Sequence, residues 1–192
     1  FVRKSYPDLD VVYMATGEKQ GRCVVGNLGL QLATGMYFNF LDDDDYFLPN
    51  HISTLVNKLQ ETECKVAYTI SEEHQIKINK DKGDVSKIKR KLIRYKQPFN
   101  RLLLCYMNYI PIQSIMFHRF LFEKCGGFDV ELDVLEDWDL WLRYSFECDF
   151  VFEPVQIGTS LRIFRANQTS GGSSYDFISI HPGSDTPARL KI

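Results

Sequence analysis

Apolar positions along the chain alternate between strand-length runs and helix-length periods. Leu9-Asp10-Val11-Val12-Tyr13-Met14 is a short β-branched and aromatic run that predicts a first strand. Val25, Leu28, Leu32 and Ala33 keep helical spacing, which predicts a helix from Arg22 to Ala33 closed near Gly35. Met36 to Leu41 is almost wholly apolar, the pattern of a strand covered on both faces, and it runs directly into Asp42-Asp43-Asp44-Asp45. Pro49 suits a first helical position, and Ile52, Leu55, Val56 and Leu59 supply the apolar face of a second helix. Lys65 to Ile70 predicts the next strand. This order of strand, helix, strand, helix, strand implies right-handed crossovers and a mostly parallel sheet, so the fold class is α/β.

From Ser71 to Gln97 the chain turns polar. Val85, Ile88, Leu92 and Tyr95 fall on one helical stripe with Lys87, Arg90, Lys91 and Arg94 largely outside it, predicting a basic amphipathic helix that Asp84 caps. Further helices are expected over Phe99–Tyr106, Arg119–Lys124 and Glu136–Glu147. Strands are expected over Gln113–His118 and Val151–Arg165. The Gly/Ser-rich stretch from Ser170 begins a loose tail. The expected organisation is one α/β domain over 1–170 with a basic helical insertion at about 77–101, then a tail over 171–192.

Composition sharpens this picture. At 192 residues, with 44% hydrophobic and 14% aromatic residues, the chain has the material for one real core and not for two ordinary domains. The net charge of −2 gives no general affinity for polyanions. That total hides a local excess, since Lys77 to Arg101 holds ten basic residues against Asp81 and Asp84. The excess fits either a solvated face or an interfacial helix over 84–96 on an anionic membrane. Nucleic-acid binding is not expected, because no aromatic-rich basic platform accompanies it. Five cysteines without a C-x-x-C pair suggest neither a disulfide framework nor a zinc site, which makes a reducing cytoplasm the expected setting. The longest apolar stretch, Leu102 to Ile112, is broken by Asn108 and Pro111 and is too short to span a bilayer.

Two acidic clusters carry candidate chemistry. Open α/β sheets bind ligands beyond the carboxyl ends of their strands, where Asp42 to Asp45 are expected. Four adjacent carboxylates repel unless a cation neutralises them, and Mg²⁺ or Mn²⁺ with oxygen ligands completes its shell with substrate phosphates. A solvated acidic loop is the plainer reading. Glu136, Asp137 and Asp139 open an otherwise apolar helix. They suit either dipole complementarity or a general base that deprotonates an attacking hydroxyl. Trp138 and Trp141 suit either core packing or stacking on a sugar ring.

Taken in order, Gly26-Asn27-Leu28-Gly29-Leu30, Ala33-Thr34-Gly35-Met36-Tyr37, Phe40-Leu41-Asp42-Asp43-Asp44-Asp45, Gly126-Gly127-Phe128-Asp129 and Glu136-Asp137-Trp138-Asp139-Leu140-Trp141-Leu142-Arg143 resemble the family-two glycosyltransferases of the GT-A fold. The resemblance implies a nucleotide-diphosphate sugar donor, an Mg²⁺ or Mn²⁺ ion, a saccharide or lipid-linked acceptor, and inversion at the anomeric carbon. It assigns Asp42, Asp43 and Asn27 to the donor, with Asp42 near its ribose. It assigns Asp44 and Asp45 to the metal, and Asp137, with Glu136 beside it, to the catalytic base. Phe128, Asp129 and Trp138 would border the acceptor or the donor sugar. Gly26 stands where the family usually has Arg, and Phe164 where it often has His. The family opens with a strand–helix–strand unit that this chain is expected to lack, and a sheet edge bared in that way invites a homodimer. The residues leave a second class open: a non-catalytic saccharide- or protein-binding fragment of such an enzyme.

Overall fold

The computed structural model describes residues 7–42, 45–78, 85–164, 175–180 and 190–191, with backbone alone over 73–94 and beyond 155. Helix α1 (Arg22–Leu32) leads into β1 (Tyr37–Asp42), then β2 (Tyr46–Phe47), α2 (His51–Glu61) and β3 (Val66–Ile78). Strand β4 (Val85–Tyr95) is followed by α3 (Arg101–Tyr106), a 3-10 turn over Ile112–Ser114, β5 (Ile115–His118) and α4 (Arg119–Cys125). Helix α5 (Glu136–Glu147) precedes β6 (Val151–Phe164), β7 (Tyr175–Ile180) and β8 (Leu190–Lys191). The strands form one sheet in the order β2-β6-β3-β5-β1-β7-β8, with β4 paired to β3. Strands β3 and β6 are parallel, whereas β5 runs against both β1 and β3, so the sheet is mixed.

Both faces of β1 are buried, which explains its almost wholly apolar run. Phe38 and Phe40 face a core built from α1, α3, α4 and α5, where Phe117 packs against Trp141 and Tyr144 at ring separations of 5.9 and 5.1 Å. Tyr37 and Leu41 point the other way, onto Ile52, Leu55 and Leu59 of α2. Between them Asn39, fully buried, donates from Nδ2 to the Ile115 carbonyl at 2.5 Å and so ties β1 to the start of β5. Arg119 fixes the turn between α1 and β1 through the carbonyls of Ala33 and Gly35, with its guanidinium 4.8 Å from the Phe38 ring centre.

Several sequence expectations are corrected. Leu9–Met14 is irregular, with Val12 and Tyr13 exposed. β propensity reflects side chains buried on a pleated surface, which Val12 and Tyr13 are not. Residues 85–95 form β4, an antiparallel partner of β3 from Ser71↔Tyr95 to Ile78↔Val85, where the helical stripe predicted a basic helix. A helix of that length is marginal without a surface to pack on, whereas pairing with nearby β3 satisfies its backbone directly. The interfacial helix over 84–96 is therefore absent, and its proposed cap Asp84 lies outside the described residues. Pro49 precedes the N-cap Asn50 rather than opening α2. Within the expected tail, Tyr175–Ile180 pairs with the whole of β1 as a further strand of the sheet. All five cysteines are free thiols. Among the described residues no helix is long and apolar enough to cross a membrane.

Candidate active site

The site is built around the start of α5. Its first residues, Glu136 and Asp137, follow Leu135, whose backbone is left-handed at φ 63° and ψ 20°. Three acids in this first turn complement the helix dipole. The segment leading to them is held from both sides. Arg143, two turns into α5 and paired with Asp139 at 2.7 Å, donates to the carbonyls of Cys125 at 2.8 Å and Gly127 at 2.7 Å. The Tyr144 hydroxyl donates to the Gly126 carbonyl at 3.0 Å.

From the opposite side, the Asn27 carboxamide clasps Phe128. Its Nδ2 donates to the Phe128 carbonyl at 2.8 Å, and its Oδ1 accepts from the Phe128 amide at 2.7 Å. Two glycines make this approach possible. A Cβ on Gly127 would lie 2.1 Å from Asn27 Oδ1, and one on Gly26 would lie 2.7 Å from the Phe128 ring. Phe128 is 4% exposed and packs on Phe40 at 5.1 Å, two residues before Asp42. One aromatic contact thus couples the segment before Asp137 to the strand that delivers the acidic run.

Glu136 and Asp137 have different surroundings. Glu136 is buried and forms an ion pair at 3.0 Å with Arg22, which also donates to the Asp133 carbonyl at 3.0 Å. Asp137 is half-buried, and each of its oxygens takes one donor: Oδ1 the Trp138 amide at 2.8 Å, and Oδ2 the Asn108 side chain at 3.0 Å. Burial, then the charge of Glu136, push the Asp137 carboxyl above the usual carboxylate range, while Asn108, the Trp138 amide and Arg22 pull the other way. A carboxylate raised in this way, with acceptor capacity left on each oxygen, has the properties of a general base.

Of the acidic run, Asp42 ends β1 and is partly buried, and Asp45 donates its amide to the Asp42 carbonyl at 3.1 Å. Asp43 and Asp44, assigned to the donor and the metal, lie outside the described residues. Among the described residues no three His, Cys, Asp or Glu side chains converge as a metal site. The carboxylates of Asp42 and Asp45 are oxygen ligands, the kind that a hard cation such as Mg²⁺ or Mn²⁺ takes.

Three expected contacts are corrected. Asn27, assigned to the donor, is committed to Phe128 on both its oxygen and its nitrogen. Phe128, assigned to a sugar, is a core residue under Gly26. Trp138, also assigned to a sugar, is partly buried and donates its indole N–H to the Leu104 carbonyl at 2.6 Å, which fixes the start of α5 on α3. Asp129 is exposed and accepts the Glu131 amide at 3.0 Å, holding the turn toward α5. Asn108 and Arg22 were not singled out from the sequence. The only signal for Asn108 was a polar residue interrupting an apolar run, and Arg22 gave none.

Comparison with known proteins identifies the family. The family model described as glycosyl transferase family 2 matches residues 2–126. The chain is 27% identical over 142 residues to an uncharacterized glycosyltransferase, YwdF, of Bacillus subtilis strain 168, covering 74% of this chain and 51% of that protein. It is 28% identical over 161 residues to the putative colanic acid biosynthesis glycosyl transferase WcaA of Escherichia coli strain K12, covering 83% and 54% respectively. The chain thus spans about half the length of the curated relatives it matches. With the family model matching residues 2–126 and a mixed sheet flanked by helices, this chain belongs to the family 2 glycosyl transferases, with their GT-A, Rossmann-like α/β fold.

Proposed function

We propose that the chain carries the donor-binding and base-bearing part of an inverting glycosyltransferase that moves a sugar from a nucleotide-diphosphate donor to a saccharide or lipid-linked acceptor in surface polysaccharide synthesis. In this reaction Asp137 accepts the proton of an acceptor hydroxyl as that oxygen attacks the anomeric carbon. The bond from that carbon to the diphosphate breaks, and its electron pair leaves with the diphosphate. Glu136 stays in its ion pair with Arg22 and contributes negative charge beside the base. Asp42 and Asp43 contact the donor, while Asp44 and Asp45 hold a divalent ion. That Mg²⁺ or Mn²⁺, when bound, neutralises charge on the leaving diphosphate. The exposed Asp129 borders the acceptor.

One observation supports this reading above the others: a half-buried Asp137, raised by burial yet holding one donor on each oxygen. The polysaccharide setting leans on the printed name of the Escherichia coli relative. Replacing Asp137 or Asp44 with Asn in the enzyme should abolish transfer while the far-UV circular dichroism stays that of the wild type. Transfer at near wild-type rate in either variant sinks the role given to that residue. Calorimetric titration with nucleoside diphosphates and Mn²⁺ tests the donor half separately, and heat that depends on the metal is the expected outcome.

A further inference from the structure

Asn108 lies in the short link between α3 and the 3-10 turn, a segment fixed by its neighbours. Tyr109 is buried and its hydroxyl both accepts from the Asn100 amide at 2.9 Å and donates to the Asn100 carbonyl at 3.1 Å. Ile110 is fully buried. The Asn108 carboxamide is itself oriented, because its Oδ1 accepts from the Ile110 amide at 3.2 Å and only the NH₂ end remains to face Asp137. The flipped amide would set a carbonyl against a carboxylate and an NH₂ against a backbone N–H, two repulsions in place of two hydrogen bonds.

We propose that Asn108 is a positioning residue for the reaction, one that holds the Asp137 carboxylate in plane and ionised by donating from an amide whose orientation the Ile110 backbone locks. The proposal rests on the reading of Asp137 as the base. The two donors on Asp137 come from independent segments, Asn108 across the fold and Trp138 on its own helix, so together they fix the carboxylate plane. The second lone pair of each oxygen stays available for a hydroxyl. Burial and the charge of Glu136 oppose ionisation, and Asn108 counters them without adding a charge.

The two charged groups that act on Asp137, Glu136 on its own helix and Arg22 from α1, are paired with each other at 3.0 Å, and farther along the helix Asp139 binds Arg143. Arg22 is the cation that acts on Asp137, and it does so from within its pair with Glu136. A neutral donor of fixed direction is the complement such a site needs.

The test needs no donor or acceptor. The Trp138 backbone amide, hydrogen-bonded to Asp137, reports that carboxyl's titration in ¹⁵N-resolved NMR of the whole chain. Asn108→Ala should move the midpoint upward. Asn108→Asp keeps the oxygen that caps the Ile110 amide, so the link should stay folded, and it should move the midpoint further up than Asn108→Ala does. A carboxylate this close raises Asp137 by its charge alone, so Asn108→Ala decides the matter: a residue that merely caps its own loop would leave the Asn108→Ala midpoint equal to the wild type's, and that result overturns the proposal. Asp137→Asn should erase the Trp138 transition, and a transition that survives it also overturns the proposal. In a transfer assay the acid limb of kcat/KM should shift upward in the same order. If Asp137→Asn retains transfer, the base reading falls while the hydrogen-bond result stands. If Asp137→Asn is inactive and the midpoints do not move, the positioning role alone falls.

Discussion

The clasp between Asn27 and the Gly127–Phe128 backbone makes a quantitative prediction about two substitutions 100 residues apart in sequence. Asn27→Ala removes the donor to the Phe128 carbonyl and leaves the amide of a buried residue without its acceptor. A lost hydrogen bond costs about 1 kcal/mol and an unsatisfied buried group about 1–3 kcal/mol, which sums to about 2–4 kcal/mol. Gly127→Ala reaches the same outcome from the other side. Its Cβ would sit 2.1 Å from Asn27 Oδ1 and 3.0 Å from Cγ, so the carboxamide must swing away and release both hydrogen bonds. Residue 127 does not have a positive φ, so the cost is steric and at least about 2–4 kcal/mol. With Asn27 already cut to Ala, the nearest remaining obstacle is Leu30 Cδ1 at 3.3 Å, which yields by a few tenths of an ångström. The double variant should therefore be about as unstable as Asn27→Ala alone, a coupling of about 2–4 kcal/mol. Urea unfolding followed by the fluorescence of Trp138 and Trp141 reads all three variants, and the single losses correspond to melting points lower by roughly 5–15 °C. If the two single effects add to within about 0.5 kcal/mol, the clasp does not hold the loop.

Two further predictions concern the same region. Gly26→Ala places a Cβ 2.7 and 2.8 Å from two carbons of the Phe128 ring, which is wedged against Phe40. The gain in helix propensity of about 0.5–1 kcal/mol is outweighed by an overpacking cost of about 1–3 kcal/mol, so thermal melting should show a lower midpoint, and a higher one refutes the contact. Asp137 has a folded-state pKa above its ordinary value of 3.8, so its stabilising contribution is complete below that value and is lost as pH rises through the raised one. The stability of Asp137→Asn relative to wild type, measured by urea unfolding, should thus rise as the pH is raised above 3.8, and a flat difference contradicts the burial argument.

Where the pattern was local, the sequence was legible. Glu136–Glu147 is a helix over the expected span because its acids, apolar face and following break all lie within twelve residues. The acidic run was expected at a strand end and is found there, with Asp42 closing β1. The basic segment was misread because Val85, Ile88, Leu92 and Tyr95 satisfy a helical stripe, while the same residues are free to pair as a strand when β3 lies alongside. The family motifs pointed to α1, the end of β1 and the start of α5 as segments to inspect. They did not assign the work within them: Asn27 and Phe128 lock the approach to Asp137, and Trp138 secures α5 to α3.

By itself the sequence determined the α/β class, the buried central strand, the two acidic clusters and the family, because each is written in periodicities and short ordered motifs. Only the tertiary structure decided which neighbours each group meets. Asn27 finds Phe128 across 101 positions, Asn108 finds Asp137 across 29, and Tyr175–Ile180 pairs with β1. The physical reason is the same in each case. A hydrogen bond or a strand pairing is satisfied by whatever group lies within about 3 Å in space, and spacing along the chain carries no record of that distance.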